Sequence, residues 1–340
     1  MSEMAIIGAG AWGTALSIVL GRVNSHRIRL WTYEKEVREG IAQQRVNQKF
    51  LPGQQIPLSV TPCTDLAEAI AGAEIVVSVM PSQHCRRLFE QMRPHLRPET
   101  LVVSATKGLE ENSLLRMTEV IDQVINADGS RGIKIGALSG PSFALEAARG
   151  DPTAITIASH DFELARKVQQ EFSTVSFRIY TNADPIGVEL GGALKNTIAI
   201  AAGVCAGLGL GHNSVAALIT RGLAEMTRLV VACGGHAETM AGLAGLGDLV
   251  LTCTGGLSRN RGVGFELGRG SKLPDILAAM HGTVAEGVST TTAAVGLARV
   301  RGVEMPITEQ MHAILHHGKD PQDAMYELMT RSGKSETIRP

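Results

Sequence analysis

Aromatic residues are scarce, at 4% of the 340, with only 2 tryptophans and 3 tyrosines. That argues against a stacking platform for single-stranded nucleic acid. Charge is thin as well: 19% of residues are charged and the formal net charge is −1. The chain therefore has no basic footprint for nucleic acid or an anionic membrane, and any anionic ligand must be gripped by local geometry. The five cysteines, Cys63, Cys85, Cys205, Cys233 and Cys253, are odd in number and include no Cys-x-x-Cys pair. Neither a zinc site nor a disulfide framework is indicated, and a reduced, cytoplasmic chain fits best. No signal peptide is expected, because Met4-Ala5-Ile6-Ile7 runs into a glycine turn without a basic leader. No membrane span is expected either. The longest apolar stretch, Thr197–Gly211, holds four glycines and reads as a buried helix.

What is present is a chain long enough for two domains, with 44% apolar residues to fill them. In the first half, short β-rich runs alternate with helical patterns, the signature of βαβ units and a parallel sheet. Strands are predicted near Met4–Ile7, Ile28–Trp31, Leu58–Thr61, Ile75–Met80, Leu101–Ala105, Ile133–Leu138, Ala154–Ala158 and Phe177–Tyr180. Helices are predicted near Ala11–Gly21, Leu66–Ala71, Gln83–Met92, Leu114–Ile125 and Phe162–Phe172. After about Asn182 the strand signal stops. Helices are then predicted over Pro185–Ala206, Ser214–Cys233, Pro274–Ala279, Ser289–Arg301, Ile307–His316 and Pro321–Thr330. Asn213-Ser214 reads as a cap for the second of these, and Arg221 with Glu225 as an i,i+4 pair on it. The expected architecture is a Rossmann-type doubly wound α/β domain over residues 1–182, followed by an all-α substrate and catalytic domain over 183–340.

Gly8-Ala9-Gly10-Ala11-Trp12-Gly13 lies between the first predicted strand and the first helix. Gly8 permits the tight turn, Gly10 lets the backbone approach a pyrophosphate, and Gly13 allows close packing of helix on sheet. The helix N-terminus then offers amides and a positive dipole end to the anion. Glu34, 21 residues after Gly13, stands near where an acidic residue would bind the ribose hydroxyls of NAD. Lys35 and Arg38 are close by, so both NAD and NADP stay open as cofactors.

A second constellation lies in the helical half. In Gly191-Gly192-Ala193-Leu194-Lys195-Asn196-Thr197 a lysine follows an apolar, glycine-rich run that should be buried. Burial disfavours the ammonium and lowers its pKa towards the range useful for proton transfer. Asp248 is its expected partner. Lys107, after the fifth strand, and Ser139-Gly140-Pro141-Ser142, after the sixth, occupy the strand ends where open α/β sheets bind ligands. The loop Ser258-Arg259-Asn260-Arg261 combines a hydroxyl, guanidinium forks and an amide, which suits a phosphate. His312 and His316 are four apart, yet no third ligand stands at a matching position. A helix surface is expected there, with no metal.

Together these motifs resemble the bacterial and eukaryotic NAD(P)-dependent glycerol-3-phosphate dehydrogenases. The similarity runs over nearly the whole chain, through Gly8–Gly13, Leu51-Pro52-Gly53, Lys107-Gly108, Gly140–Ser142, Gly192–Asn196, Gly245–Leu249, Ser258–Asn260 and Glu286-Gly287. The resemblance implies that Lys195 is the general acid/base. It implies a substrate site of Lys107, Gly140, Ser142, Lys195, Asp248, Ser258, Arg259 and Asn260. It also implies cofactor contacts at Ala11, Trp12, Tyr33, Lys107, Ala144, Arg259, Val284 and Glu286, beside the three fingerprint glycines. The implied reaction interconverts dihydroxyacetone phosphate and sn-glycerol 3-phosphate, a phospholipid precursor, in a homodimeric enzyme. The chain departs from the family at Tyr33, where many bacterial members carry arginine or histidine. A β-hydroxyacid or 6-phosphogluconate type dehydrogenase shares the Rossmann domain, the helical domain and a lysine. The Ser258–Asn260 loop and the Leu51–Gly53 turn favour the glycerol phosphate reading. A nucleotide-sensing regulator on the same scaffold would be expected to lack Lys195 or Lys107, and both are present.

Overall fold

Runs of Ile, Val and Leu too short for helices become strands buried on both faces, which is how parallel sheets read in sequence. The computed structural model describes every residue except 1, 24, 128, 130–131, 281–283, 334 and 337–340. The first half runs β1 (Ser2–Ile7), α1 (Ala11–Gly21), β2 (His26–Trp31), α2 (Lys35–Gln44), β3 (Val46–Asn47), β4 (Leu51–Gln55), β5 (Val60–Cys63) and α3 (Leu66–Ile70). It continues with β6 (Ile75–Ser78), α4 (Cys85–Met92), β7 (Leu101–Ser104), α5 (Met117–Ile125) and β8 (Ile135–Ser139). It closes with α6 (Ala144–Arg149), β9 (Thr153–Ala158), α7 (Phe162–Phe172) and β10 (Phe177–Asn182).

Eight of these strands form one sheet in the order β10-β9-β8-β7-β6-β1-β2-β5, and β3 pairs only with β4. Every pairing in the large sheet is parallel except β8 with β9. From β1 the chain winds first to β2 and β5 on one side, then to β6 and beyond on the other. The strand order therefore reverses at β1, and a crevice opens at its carboxyl end, beside the glycine fingerprint.

Among the described residues, helices follow without further strands: α8 (Pro185–Gly207), α9 (His212–Ala232), α10 (Ala237–Met240), α11 (Asp248–Thr254), α12 (Arg259–Gly268), α13 (Leu273–Ala279), α14 (Glu286–Arg301), α15 (Pro306–His317) and α16 (Pro321–Thr330). A π-helical turn over Leu243–Gly247 leads into α11. By length and composition α8 would pass for a membrane span, but 83% of its most apolar stretch is buried inside the protein. It is the axis around which the helical half packs. Its start is held by Asp184, whose carboxylate accepts from the Gly187 amide, the His236 amide and the Thr239 hydroxyl at 2.7–2.9 Å.

Helix α12 lies directly on α8, backbone against backbone. A Cβ at Gly203 would stand 2.0 Å from the Arg261 carbonyl oxygen, and one at Gly264 would stand 1.9 Å from that of Ile200. Gly207 and Gly268 repeat the contact one turn further on.

Several local expectations need correction. The strand expected at Leu58–Thr61 is β5, Val60–Cys63, because the Val60 amide first closes a turn on the Pro57 carbonyl. Helix α5 begins at Met117 rather than Leu114, whose φ of +61° takes the chain out of helical conformation. Helix α14 begins at Glu286, three residues before the expected start. Helix α9 begins at His212 behind Gly211, with no side-chain cap, so Asn213-Ser214 lies inside it. Glu225 does not pair with Arg221. It is buried and accepts from the amides of Ile307 and Thr308, at 2.6 and 3.2 Å, and so caps α15 from across the core. Burial pushes its carboxyl up to about 7, against the pull of those donors. The residues read as a loop, Ser258–Arg261, are the cap and first turn of α12.

Candidate active site

The fingerprint turn is built as a cradle. Gly8 has φ +122°, and a Cβ there would stand 2.6 Å from the Val79 carbonyl oxygen. A Cβ at Gly13 would stand 1.9 Å from the Gly8 carbonyl oxygen. Gly10 is different: nothing lies within 4 Å of where its Cβ would be, so the backbone there faces open space. Gly10 also precedes α1 without a side-chain cap, which leaves first-turn amides for an anion. These residues fit a dinucleotide pyrophosphate. Ala11 and Trp12 form the half-buried mouth of α1, with the Trp12 ring 6.4 Å from that of Phe177.

The turn is braced by Asn47, a residue the sequence reading passed over. Its side-chain amide donates to the Ala9 carbonyl and to the Thr14 hydroxyl, both at 2.8 Å. At the ribose end, Tyr33 is 75% exposed and leans on Trp31 at 6.3 Å between ring centroids. Glu34 occupies the cap position of α2 without a side-chain cap bond. Its carboxylate stands 3.9 Å from the ammonium of Lys49, which also bonds Glu36 at 2.6 Å. Lys35 points to Glu39 instead.

The second cluster is organised by Asp248, the first residue of α11 and 1% exposed. Its Oδ1 accepts from Lys195 Nζ, and its Oδ2 accepts from Lys107 Nζ at 2.7 Å. Lys195, 6% exposed in the middle of α8, also donates to Thr252 Oγ1 at 2.8 Å. Thr252 Oγ1 in turn donates to the Asp248 carbonyl at 2.6 Å, which fixes its lone pairs towards the ammonium. Lys107 adds a bond to the Gly140 carbonyl at 3.4 Å, which the Ser142 hydroxyl shares at 3.0 Å. Glycine is required around this hub. A Cβ at Gly191 would meet the Ala244 carbonyl oxygen at 2.6 Å, and one at Gly192 would meet Ser139 Oγ at 2.4 Å.

Burial lowers the Lys195 pKa to about 8. Asp248 pulls it up and Lys107 pushes it down. A buried lysine that is half protonated near pH 8 can give or take a proton near neutrality.

Two further elements reach this place. Ser258 caps α12 by accepting from the Arg261 amide at 3.2 Å. Asn260 donates to Asn196 Oδ1 and accepts from the Gly287 amide, both at 3.0 Å, and so ties α12 to α8 and α14. Arg259 is exposed, and its guanidinium has no hydrogen-bond or ion-pair partner among the described residues. Burial raises the Glu286 carboxyl, while Arg259, Lys107 and Lys195 all pull it down. Those four side chains therefore share one neighbourhood, where α8, α12, the end of β7 and the start of α14 converge. Val284 lies exposed two residues before α14, and Ala144, the first residue of α6, packs against the core of the α/β half. A cavity of about 670 Å³ between α12 and α13 reaches Ser258 and Arg259.

The structure thus brings Lys195, Lys107, Asp248, Gly140 and Ser142 into one bonded set, with Arg259 and Glu286 in electrostatic reach. It commits the Ser258 hydroxyl to the start of its own helix and Asn260 largely to the frame. Thr252 belongs to no motif in the sequence, although it lies one helical turn after Asp248. Three cations against two carboxylates make this a place for an anion. A ketone or alcohol oxygen beside Lys195 would meet a proton donor there.

Comparison with known proteins agrees with this geometry. Residues 3–165 match the family described as NAD-dependent glycerol-3-phosphate dehydrogenase N-terminus, and residues 184–326 match its C-terminus. A glycerol-3-phosphate dehydrogenase [NAD(P)+] of Koribacter versatilis is 66% identical over 336 residues, covering 99% of each chain. One of Acidobacterium capsulatum is 55% identical over 99% of this chain and 100% of that protein. Among solved structures, the glycerol-3-phosphate dehydrogenase of Coxiella burnetii superposes with a TM-score of 0.92 at 40% identity, over 97% of this chain and 99% of that one.

Proposed function

Since the chain belongs to the NAD-dependent glycerol-3-phosphate dehydrogenase family, and is therefore an NAD(P)-dependent oxidoreductase acting on a CH–OH group, we propose that it interconverts dihydroxyacetone phosphate and sn-glycerol 3-phosphate with Lys195 as general acid/base. The observation that carries this reading is Asp248 bridging Lys195 and Lys107 within reach of Arg259. Residues 1–182 serve as the cofactor domain, and 183–340 bring the acid/base and the phosphate grip.

The nicotinamide cofactor, when bound, supplies or accepts the hydride. Gly8, Gly10 and Gly13 with the first turn of α1 would hold its pyrophosphate, and Trp12, Tyr33, Ala144, Val284 and Glu286 would contact the rest of it. Lys107, fixed by Asp248 and the Gly140 carbonyl, directs its remaining N–H towards the substrate oxygen and polarises the carbonyl. Lys195 gives its proton to that oxygen as negative charge develops and takes it back in the reverse direction. Asp248 and Thr252 orient the ammonium without leaving the charge unpaired. Arg259, free of internal partners among the described residues, grips the phosphate. In the cell the product feeds phospholipid synthesis, and the enzyme acts as a cytoplasmic homodimer.

The deciding experiment follows NADH and NADPH oxidation with dihydroxyacetone phosphate and with unphosphorylated dihydroxyacetone. Turnover is expected with the first and little with the second, because remote binding energy serves the chemical step. Arg259→Ala should lower kcat/KM for the phosphorylated ketone by about 2 kcal/mol or more, on the order of thirtyfold. Equal use of both ketones by the wild-type enzyme would remove the phosphate assignment. Better turnover of a β-hydroxyacid or 6-phosphogluconate would favour the rival reading.

A further inference from the structure

Lys49 belongs to neither the glycine fingerprint nor the end of β2, yet the β3–β4 hairpin delivers its ammonium to the ribose end of the crevice. β2 and β1 run in register, with Trp31 opposite Ile7, and the Gly8 amide bonds the Trp31 carbonyl at 3.3 Å. Glu34, three residues beyond, is thereby placed where the adenosine ribose hydroxyls of a dinucleotide fall. Lys49 Nζ lies 3.9 Å from the Glu34 carboxylate, so a ribose held by Glu34 would have this ammonium beside it.

This placement is not a chance encounter of two surface side chains. Asn47, two residues before Lys49, is fully buried and bonds both the fingerprint turn and Thr14. The Phe50 amide closes back on Asn47 Oδ1 at 3.1 Å, and the Lys49 ammonium lies 5.3 Å from the Phe50 ring centroid. The hairpin therefore holds a fixed position relative to the pyrophosphate cradle. The lysine side chain is 38% exposed, with Glu36 at 68% as its other partner, so it can exchange partners at little cost.

We propose that Lys49 is the residue that admits a 2′-phosphate, offsetting Glu34 so that one site accepts NADP as well as NAD. This rests on the cofactor crevice described above. With a 2′-hydroxyl, Glu34 accepts from the ribose and Lys49 remains between Glu34 and Glu36. With a 2′-phosphate, the carboxylate of Glu34 repels the ligand. Lys49 then leaves Glu36 for the phosphate oxygens, replacing one exposed ion pair with a charge-assisted bond to a dianion.

The test uses adenosine nucleotides and no triose phosphate, so it reads independently of the substrate assignment. Binding of adenosine 2′,5′-bisphosphate and of adenosine 5′-monophosphate is measured by calorimetry on the wild-type chain, Lys49→Met and Glu34→Gln. Lys49→Met should weaken the bisphosphate about ten- to hundredfold and the monophosphate less than about twofold, the scale of one hydrogen bond to a charged group. Its bisphosphate affinity should also fall less steeply with salt. Glu34→Gln should shift the ratio the other way. Equal loss of both nucleotides in Lys49→Met, or loss of neither, would overturn the proposal. So would a selective bisphosphate loss in Arg38→Met that Lys49→Met does not share, or a wild-type chain that binds neither nucleotide. Failure to reduce dihydroxyacetone phosphate would count against the proposed reaction and leave this contrast standing.

Discussion

Replacing Lys195 with methionine should lower kcat for ketone reduction about 10²–10⁴-fold, the usual loss on removing a positioned acid/base. Methionine keeps the length and apolar stem, and Asp248 retains Lys107 as a partner, so the fold should persist and nucleotide binding at Gly8–Gly13 should survive. The pH profile supplies the second readout. Reduction needs the ammonium, so wild-type kcat/KM should fall as pH rises through about 8. Oxidation needs the free amine, so its kcat/KM should rise across the same range. Both limbs should vanish in Lys195→Met. A variant with near-normal turnover would make Lys195 a buried structural lysine and Lys107 the leading candidate.

Asp248→Asn carries the second large effect. Among the described residues its carboxylate alone bonds both ammonium groups, at 2.7 Å from Lys107 and in direct contact with Lys195. Without its charge the buried Lys195 ammonium and the half-buried Lys107 ammonium face each other. Breaking one side of a buried ion pair typically costs about 3–5 kcal/mol of stability. The Lys195 pKa should fall further below 8, because the carboxylate bonded to it has lost its charge while Lys107 remains. Denaturant unfolding and the pH profile of kcat/KM measure the two consequences. Should the single variant fail to fold, Asp248→Asn combined with Lys107→Met removes the like-charge repulsion and should recover stability. An unchanged midpoint with an unchanged pH profile would refute the bridging role.

Much of this site is legible in the chain because its chemistry is locally conspicuous. A lysine after Gly191-Gly192 in an apolar run announces a buried charge, and a glycine turn after the first strand announces a phosphate. The central strands are equally plain, since a run such as Ile75–Ser78 is apolar on both faces. Helix α2 is less so: over ten residues it buries only Val37 and Ile41, too faint a stripe to stand out from a polar linker. Helix α12 hides for the opposite reason. Its glycines and arginines look like a loop, and only contact with α8 makes a helix of them. Asn47 and Thr252 are silent in sequence because their roles are closures across 38 and 57 residues, to Ala9 and Lys195. Glu225 misleads, since its i−4 spacing from Arg221 competes with a bond partner 82 residues away.

The bare contact between α8 and α12 also acts as a gauge. Lys195 is carried by one helix and Arg259 opens the other. Where Gly203 meets Arg261 and Gly264 meets Ile200, no side chain intervenes that might yield or be repacked. The separation of the two main chains that carry the proton donor and the phosphate grip is set by their direct contact, so only the Arg259 side chain is left to adjust to an occupant. A ketone phosphate longer by one carbon would displace its carbonyl by about one bond length, ~1.5 Å. Misplacement by about 1 Å can cost on the order of a hundredfold in rate. The enzyme should therefore reject four-carbon ketose phosphates by size alone, and comparing their kcat/KM with that of the triose would read the rigidity of the gauge directly.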